Sequence, residues 1–197
     1  MSTRVAGAIL PRSFYSRDAV ALARELLGKV LVHGDTAGVI VETEAYPGGD
    51  DRASHSVAGV TKRTRVIFGP PGHAYIYLCY GVHVCMNIVA EPEGVPGCVL
   101  IRALEPVAGL ETMRERRPTA HNTRDITSGP GKLTRALGIT LADYGADLTR
   151  GALVVREPAR PKPFRVETTL RVGVTKCADL PLRFLASFHG AAWASPA

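Results

Sequence analysis

Residues 39–46 constrain the fold more than any other run, because they place two glutamates inside what otherwise reads as a buried strand. The run opens with three β-branched residues, which favour an extended backbone. Side chains of a strand alternate between its faces, so one face carries Ile40, Glu42, Glu44 and Tyr46. Burying a charged carboxylate costs several kcal/mol unless it is paired or protonated. The run therefore predicts either a solvated sheet face or a site in which a carboxylate works beside an aromatic ring.

The length of 197 residues suits one domain with a single core. Hydrophobic residues make up 46% of the chain, yet no apolar run reaches the roughly 18 residues of a membrane span, so we predict no membrane partner. The first residues lack the apolar segment of a secretory signal. The four cysteines, which show no paired spacing and are typical of a reduced compartment, are Cys79, Cys85, Cys98 and Cys177. We expect a cytoplasmic protein, associated with the nucleoid in a bacterium or nuclear in a eukaryote.

The formal net charge of +6 favours a polyanionic partner. Nucleic acid, an anionic membrane surface and a phosphorylated ligand all fit that charge. The basic residues do not form runs, so charge alone shifts the choice only modestly towards nucleic acid.

Local patterns divide the chain into short elements. A helix is predicted over residues 18–27, capped by Ser16 and ended by Gly28, and a strand at 29–32 forms a hairpin with the glutamate run. The remaining predictions, in chain order, are a polar loop at 47–72, a hairpin at 74–89, a strand at 98–104 ended by Glu105-Pro106, helices at 110–117 and 127–137, a loop at 118–124, and strands or irregular core pieces at 152–156, 170–174 and 182–185. Together they predict one mixed α/β (α+β) domain.

The predicted hairpin concentrates aromatic side chains. Tyr75 and Tyr77 share a face by alternation, and Tyr80 lies near the tip. The first two fit ordinary core aromatics with solvated hydroxyls, but a tyrosine at a turn does not. Arg102 lies in an otherwise apolar strand, where an arginine is expected to have a partner.

The helix start near residue 129 superficially resembles a phosphate-binding loop. It fails that pattern, because Leu133 separates Lys132 from Thr134. A helix N-terminus of this composition can still hold one backbone phosphate, and an ordinary capped helix explains it equally well.

Several segments, in order over nearly the whole chain, resemble the alkyladenine (3-methyladenine) DNA glycosylase family, which excises alkylated purines and hypoxanthine. They are Val41-Glu42-Thr43-Glu44-Ala45-Tyr46, Ala53-Ser54-His55-Ser56, Tyr75-Ile76-Tyr77 with Tyr80-Gly81, Cys85-Met86-Asn87-Ile88, Val99-Leu100-Ile101-Arg102-Ala103-Leu104-Glu105-Pro106, Gly109-Leu110-Glu111-Thr112-Met113, Ser128-Gly129-Pro130 with Lys132-Leu133, and Arg171-Val172-Gly173-Val174 with Pro181-Leu182-Arg183-Phe184. The resemblance implies a single glycosylase domain over residues 1–197, with a curved, largely antiparallel sheet, surrounding short helices and a protruding hairpin.

For the chemistry, the resemblance assigns Glu44 as general base, a choice that strand parity leaves open between Glu42 and Glu44. Arg102 and His55 are then expected to help hold the attacking water, and Glu42 receives no role. A carboxylate suits this reaction because breaking an N-glycosidic bond creates positive character on the sugar. No lysine occupies the position of Glu44, so we expect hydrolysis by water without a Schiff base or strand cleavage. We also expect no metal and no other cofactor.

For the substrate, the resemblance implies duplex DNA from which a damaged purine is flipped out. Tyr46 and Tyr77 are expected to sandwich the base, His55 to form another wall, and Asn87 to exclude guanine through its exocyclic amino group. The residues expected to contact the DNA itself are Tyr80, as a wedge in the vacated stack, Tyr75 and Lys132. The tip departs from the expected pattern, since Val82 and His83 follow where a methionine and an aromatic are expected.

Three alternatives fit the sequence less well than a monomeric glycosylase. A non-catalytic nucleic-acid-binding module leaves Glu44 unexplained, because a carboxylate repels phosphate. A carbohydrate glycosidase needs carboxylates on opposite sides of a sugar, which neighbouring same-face residues provide poorly. A metal site or disulfide built from Cys79, His83 and Cys85 matches no common spacing.

Overall fold

The glutamate run lies at the centre of one large, open antiparallel sheet. The computed structural model describes residues 6–188 and the backbone of 191–192. Its strands are β1 (Ala6–Ile9), β2 (Val30–His33), β3 (Thr36–Pro47), β4 (Ala74–Cys79), β5 (His83–Val89), β6 (Gly97–Ala108), β7 (Leu153–Pro158), β8 (Arg165–Thr169), β9 (Arg183–Phe188) and β10 (Ala191–Ala192). Its α-helices are α1 (Arg12–Tyr15), α2 (Ala19–Glu25), α3 (Leu110–Arg116), α4 (Thr123–Thr127) and α5 (Pro130–Leu137). The predicted mixed α/β class, with an antiparallel sheet and short helices, is confirmed.

Strand order explains why the glutamates are buried. The sheet runs β1-β7-β2-β3-β6-β5-β4, with β8 and β10 attached through β9. Strand β6 pairs with β3 along almost its whole length, while β2 covers only the first part of the other edge. Beyond β2, strand β9 takes over that edge and pairs with Glu42, Thr43 and Glu44. Both glutamates therefore have a hydrogen-bonded strand on either side, and each is 0% exposed. The solvated-face alternative is wrong.

A bulge interrupts the alternation predicted for β3. Its register against β6 shifts between Ile40 and Glu42, and again before Thr43. Ile40, predicted to share the glutamate face, belongs to the same core cluster as Val41 and Ala45. Beyond the bulge the prediction holds, because the Glu44 and Tyr46 side chains meet. A bulge bends its strand locally, which is common beside functional sites.

Helix α2 covers the sheet behind β3. Its Leu22 and the following Leu26 are fully buried, as their spacing predicts. The predicted cap is wrong, because Asp18, not Ser16, accepts from the backbone N–H groups of Val20 and Ala21 (3.0 and 2.9 Å). Both residue types cap helices well, so local sequence does not separate them. Thr43 donates to the Ala23 carbonyl (2.8 Å) and ties the helix to β3.

Other boundaries also differ from the predictions. Strand β6 continues through Glu105-Pro106, since Pro106 lies opposite Gly38 at a register shift, where a missing N–H is tolerated. Helix α4 replaces part of the predicted loop at 118–124, and residues 170–174 form no strand. In the 47–72 loop, regular structure is limited to the 3₁₀ helices His55–Ala58 and Arg65–Phe68. Within the described residues, no helix has the length and hydropathy required to cross a membrane.

Candidate active site

A cavity of about 650 Å³ lies between the end of β3, the β4–β5 hairpin, the 3₁₀ helix at His55–Ala58 and the loop at 172–176. Aromatic and polar side chains share its wall. The predicted site residues that line it are Tyr46, His55, Tyr75, Tyr77, Tyr80, Asn87 and Arg102. The structure thus brings together residues spread over 57 positions, from 46 to 102, around one space.

Glu44 lies directly behind this wall and is held by three of its members. The backbone N–H of Val172 donates to its Oε1 (2.8 Å), and Arg102 Nη1 lies 3.3 Å from the same oxygen. The Tyr46 hydroxyl donates to Oε2 (2.9 Å). A carboxylate offers about four lone-pair positions, so these contacts leave one position, on Oε2, for a further donor.

Glu42 binds two arginines, Arg102 and Arg183, and does not line the cavity. Arg102 Nε and Arg183 Nε donate to Glu42 Oε1 at 2.8 and 2.7 Å. Burial alone would lower the pKa of Arg102, but the Glu44 and Glu42 carboxylates outweigh it and raise that pKa. Two carboxylates and two guanidiniums therefore balance in charge, which is the condition for keeping ions inside a protein.

Tyr46 connects the carboxylate to the cavity. Burial, reinforced by the Glu44 charge, raises the pKa of its phenol far above the usual range, so the hydroxyl stays a donor. The guanidinium of Arg171 lies 4.7 Å from the centroid of its ring. The ring is thus fixed at its hydroxyl and on one face.

Arg171 was not predicted as a site residue, and it forms a buried two-pronged ion pair with Asp51. Its Nη1 and Nη2 donate to the two Asp51 oxygens at 2.6 and 2.8 Å, and also to the carbonyls of Ala45 and Cys177 (both 3.2 Å). This Asp51–Arg171 clamp joins the end of β3 to the loop that supplies the Val172 N–H. Arg171 begins Arg171-Val172-Gly173-Val174, one of the segments that carry the family resemblance. No local pattern in the sequence singles out Asp51.

The opposite wall is a group of rings. Tyr75 and Tyr77 stack with centroids 5.2 Å apart, which confirms that they share a face. The His55 ring packs edge-on against Tyr77 (4.6 Å), and its Nδ1 lies 2.9 Å from the Tyr75 hydroxyl. Arg63 approaches both nitrogens of that ring (3.4 and 3.3 Å). Burial, and then the Arg63 charge, lowers the pKa of His55 to about 4.

This low pKa predicts a pH dependence of stability. Because the folded chain disfavours the protonated ring, the unfolded chain binds more protons between the ordinary histidine pKa of about 6.5 and about 4. The His55 contribution is complete above that window and is lost as pH falls through it. The unfolding free energy should fall between pH 7 and pH 4, and in His55→Gln this fall should be smaller by about 2–3 kcal/mol. Denaturant titration at the two pH values measures the difference. The exposed His121→Gln is the control, and equal slopes in both variants would contradict the prediction.

Asn87 is buried in the cavity floor with one polar group unused. Its Oδ1 accepts a weak hydrogen bond from the Cys98 thiol (3.6 Å). Its buried Nδ2 has no partner among the described residues. A buried donor without an acceptor is costly, so this amide is an unusual feature for a purely structural asparagine.

Tyr80 projects from the hairpin tip and is 84% exposed. Tyr80 and Gly81 both have positive φ (50° and 70°), and the Val82 N–H donates to the Cys79 carbonyl (3.1 Å), the pattern of a type I′ turn. A tyrosine rarely adopts this conformation, whereas asparagine and glycine do so readily.

The hairpin rests on the start of α5. Thr134 donates to the Val84 carbonyl (2.7 Å), and a Cβ added at Gly131 would meet the His83 ring and Cβ at 3.0–3.2 Å. Glycine at this position therefore allows the hairpin to approach the helix closely, which braces the tip that carries Tyr80.

Two residues predicted to contact DNA are placed differently from Tyr80. Tyr75 is 0% exposed, and its side chain lies in the cavity wall, stacked against Tyr77. Lys132 is partly exposed but forms an ion pair with Asp125, which offsets its charge. Cys79 and Cys85, considered above for a metal site or a disulfide, are both free thiols. In the described part of the chain, no group of three metal-ligating side chains could hold a metal ion.

A strand-end carboxylate paired with arginine, behind a ring-walled cavity large enough for a purine, is the arrangement of a DNA glycosylase. Comparison with known proteins agrees with this class: the family described as methylpurine-DNA glycosylase (MPG) matches residues 13–189. The chain belongs to that family.

Relatives matched over most of their length carry a consistent name. Proteins named "Putative 3-methyladenine DNA glycosylase" are 55% identical in Methanoculleus marisnigri (89% of this chain, 93% of the relative) and 48% identical in Rhodopseudomonas palustris (90% and 84%). A protein of the same name in Chlorobaculum tepidum is 46% identical (87% and 84%).

Proposed function

We propose that this chain is a monomeric, monofunctional glycosylase that flips alkylated or deaminated purines out of duplex DNA and hydrolyses the N-glycosidic bond, leaving an abasic site. The candidate bases are 3-methyladenine, hypoxanthine, 7-methylguanine and ethenoadenine. The observation that carries the proposal is Glu44, a buried carboxylate beside an aromatic cavity, with one lone pair that the contacts of the described residues leave available.

Glu44 is the general base of this proposal. Cleavage of the N-glycosidic bond gives the sugar oxocarbenium character, and water must lose a proton as it adds. A water bound at the remaining position of Oε2 can lose its proton to Glu44, while the carboxylate charge stabilises the cationic sugar. The donors from Val172 and Arg102 occupy Oε1 and hold the carboxylate in place.

The Arg102 guanidinium lies 3.3 Å from Glu44 Oε1, so a positive charge faces that carboxylate. Glu42 in turn holds Arg102 at 2.8 Å and gives it a fixed direction. This makes Glu42 a positioning residue. Glu44 reaches residues that line the cavity through both of its oxygens, Val172 through Oε1 and Tyr46 through Oε2.

The flipped base fits between Tyr46 and Tyr77, with His55 as a side wall. Base–aromatic stacking contributes about 1–3 kcal/mol, comparable with the cost of flipping. A cationic alkylpurine gains further attraction from the ring faces. Neutral His55 adds no positive charge to repel such a base, which is consistent with its lowered pKa.

Asn87 supports discrimination against normal guanine. Its Nδ2 is a donor without an acceptor in the cavity floor, and the exocyclic amino group of guanine is also a donor. Two donors facing each other cannot hydrogen-bond, so entry of guanine leaves both unsatisfied. Of the four candidate bases, 3-methyladenine, hypoxanthine and ethenoadenine lack that amino group, whereas 7-methylguanine retains it and should be the least favoured of the four.

A release assay across duplexes that each carry one of the four candidate bases tests the proposed reaction. We expect free base and an abasic strand that breaks only after alkali treatment. Strand breakage without alkali would show that the enzyme is not monofunctional. Failure to release any of the four bases would reject the proposed glycosylase activity.

Tyr80→Asn separates a wedge role from a structural role. Asparagine suits the positive φ of Tyr80, so we expect unfolding free energy to be unchanged or about 1 kcal/mol higher. Loss of the ring should weaken binding to lesion duplex roughly 10-fold, because no aromatic side chain then stacks in the space that the flipped base leaves. Fluorescence anisotropy measures the affinity. Val82→Asn at the same tip is the control, since Val82 is also exposed (73%); an equal loss in both variants would remove any special role for Tyr80.

A further inference from the structure

A second cavity, of about 510 Å³, lies beside the first on the outer side of strand β4. The two cavities share Arg63, Tyr77 and Leu78 in their walls. Strand β4 is the last strand of the sheet path on this side, so the second cavity lies at the sheet edge, next to the space proposed for the flipped base.

The charged side chains that line this outer cavity are all positive. Lys62, Arg63 and Arg65 all line it, and all three residues are exposed. None of its lining residues, within the described ranges, is acidic. Three cations around one concave space attract an anion of more than one charge, or a chain of anions.

The segment that carries these cations is ordered by its own hydrogen bonds. Thr64 is buried, and its hydroxyl donates to the Gly59 carbonyl (2.6 Å). The Thr61 N–H donates to the Thr64 hydroxyl oxygen (2.9 Å), and the Tyr144 hydroxyl donates to the Arg63 carbonyl (3.0 Å). The cations therefore project from a fixed backbone, which lowers the entropy cost of binding a ligand.

The other wall of the outer cavity is apolar. Leu78 and Leu141 are 43% and 50% exposed there, next to the ring of Tyr144. A small inorganic anion makes no use of such surface. A nucleotide does, because its phosphate can meet the cations while its sugar or base covers the aliphatic groups.

We propose that the outer cavity binds the sugar-phosphate of a nucleotide that flanks the flipped one in the same DNA. This inference rests on the proposed action on duplex DNA. Arg63, present in both walls, joins the two spaces, so one continuous strand can occupy both. The outer cavity adds affinity without reading the damaged base, since phosphate contacts position a duplex and carry no sequence information.

The test is the double variant Lys62→Gln/Arg65→Gln, which spares the shared Arg63. Its matched control is Arg160→Gln/Lys162→Gln, which removes the same charge from exposed residues that follow β7, near the other end of the sheet. Affinity for lesion and undamaged duplexes is measured by anisotropy over a range of salt, in a Glu44→Gln background that prevents turnover. We expect roughly 10-fold weaker binding of both duplexes and a salt slope reduced by about 0.9, for one lost phosphate contact.

Equal behaviour of the two double variants would overturn the proposal, since general electrostatics would then explain the effect. Loss of binding only to lesion duplex would also overturn it, because the flipped-base cavity would be the part disturbed. Thermal unfolding of both variants confirms that the fold is intact. If Glu44→Gln still releases base, the catalytic proposal fails, while the comparison on undamaged duplex continues to test the outer cavity.

A second arm separates DNA from a free nucleotide, which has the same chemistry. Titration with deoxyadenosine monophosphate is expected to show affinity no tighter than millimolar, because one phosphate and no flanking strand make few contacts. Tight binding of this mononucleotide that is lost in Lys62→Gln/Arg65→Gln, with DNA affinity unchanged, would assign the cavity to free nucleotides and overturn the proposal.

Discussion

Glu44→Gln is expected to bind lesion duplex about as tightly as the parent chain and to release base about 10²–10⁴-fold more slowly, the usual contribution of a general base. The amide has the same shape and can still accept the Val172 N–H, but it cannot take a proton from water. Single-turnover release from a hypoxanthine duplex measures the rate, and anisotropy measures the binding.

Two matched variants make the result specific. Glu111→Gln removes an exposed carboxylate from α3 and should leave the rate unchanged. Glu42→Gln removes the carboxylate that anchors Arg102 and Arg183, so its defect should include a loss of stability. A normal rate in Glu44→Gln, or a larger catalytic loss in a stable Glu42→Gln protein, would show that the base is assigned to the wrong glutamate.

Asp51→Asn is expected to lower the free energy of unfolding by about 3–5 kcal/mol, the usual cost of removing one partner from a buried ion pair. The side chains of Asp51 and Arg171 are 2% and 0% exposed, so the remaining guanidinium keeps its charge without access to water. Burial alone would lower the pKa of Arg171, and Asp51 is the main group that raises it. Chemical denaturation measures the loss, with the exposed Asp179→Asn as control.

The same variant should also slow base release at saturating DNA. The Asp51–Arg171 clamp holds the backbone next to Val172 and one face of Tyr46, and both groups contact Glu44. The double variant Asp51→Leu/Arg171→Met removes both charges and should recover stability but not rate, because apolar replacement of a buried pair is often neutral. A full recovery of rate would restrict the clamp to a structural role.

The carboxylate site was largely predictable because buried charge is expensive. Two glutamates in an apolar strand and an arginine in another apolar strand each require a partner, and the structure pairs them. Alternation also placed Tyr75 beside Tyr77 and Glu44 beside Tyr46. These inferences needed only neighbours along the chain and the cost of desolvation.

The parts that were missed depend on distant contacts. Asp51 and Arg171 are 120 positions apart, and nothing in the polar loop around Asp51 marks it as buried. The bulge near Ile40 arises from pairing with β6, so strict alternation could not reveal it. The complete burial of Tyr75 also depends on a distant contact, because His55, whose ring nitrogen lies against its hydroxyl, comes from a separate loop.

The contribution of β9 to the site has a consequence for protein synthesis. Strand β3 is made first, but the edge pairing of Glu42 and Glu44, the Val172 N–H and Arg183 all come from residues 172–185, which are made later. A nascent chain that ends before these residues leaves both carboxylates open to water and without their final geometry. The proposed base-releasing site is therefore incomplete until residues 172–185 have been made and have folded onto β3.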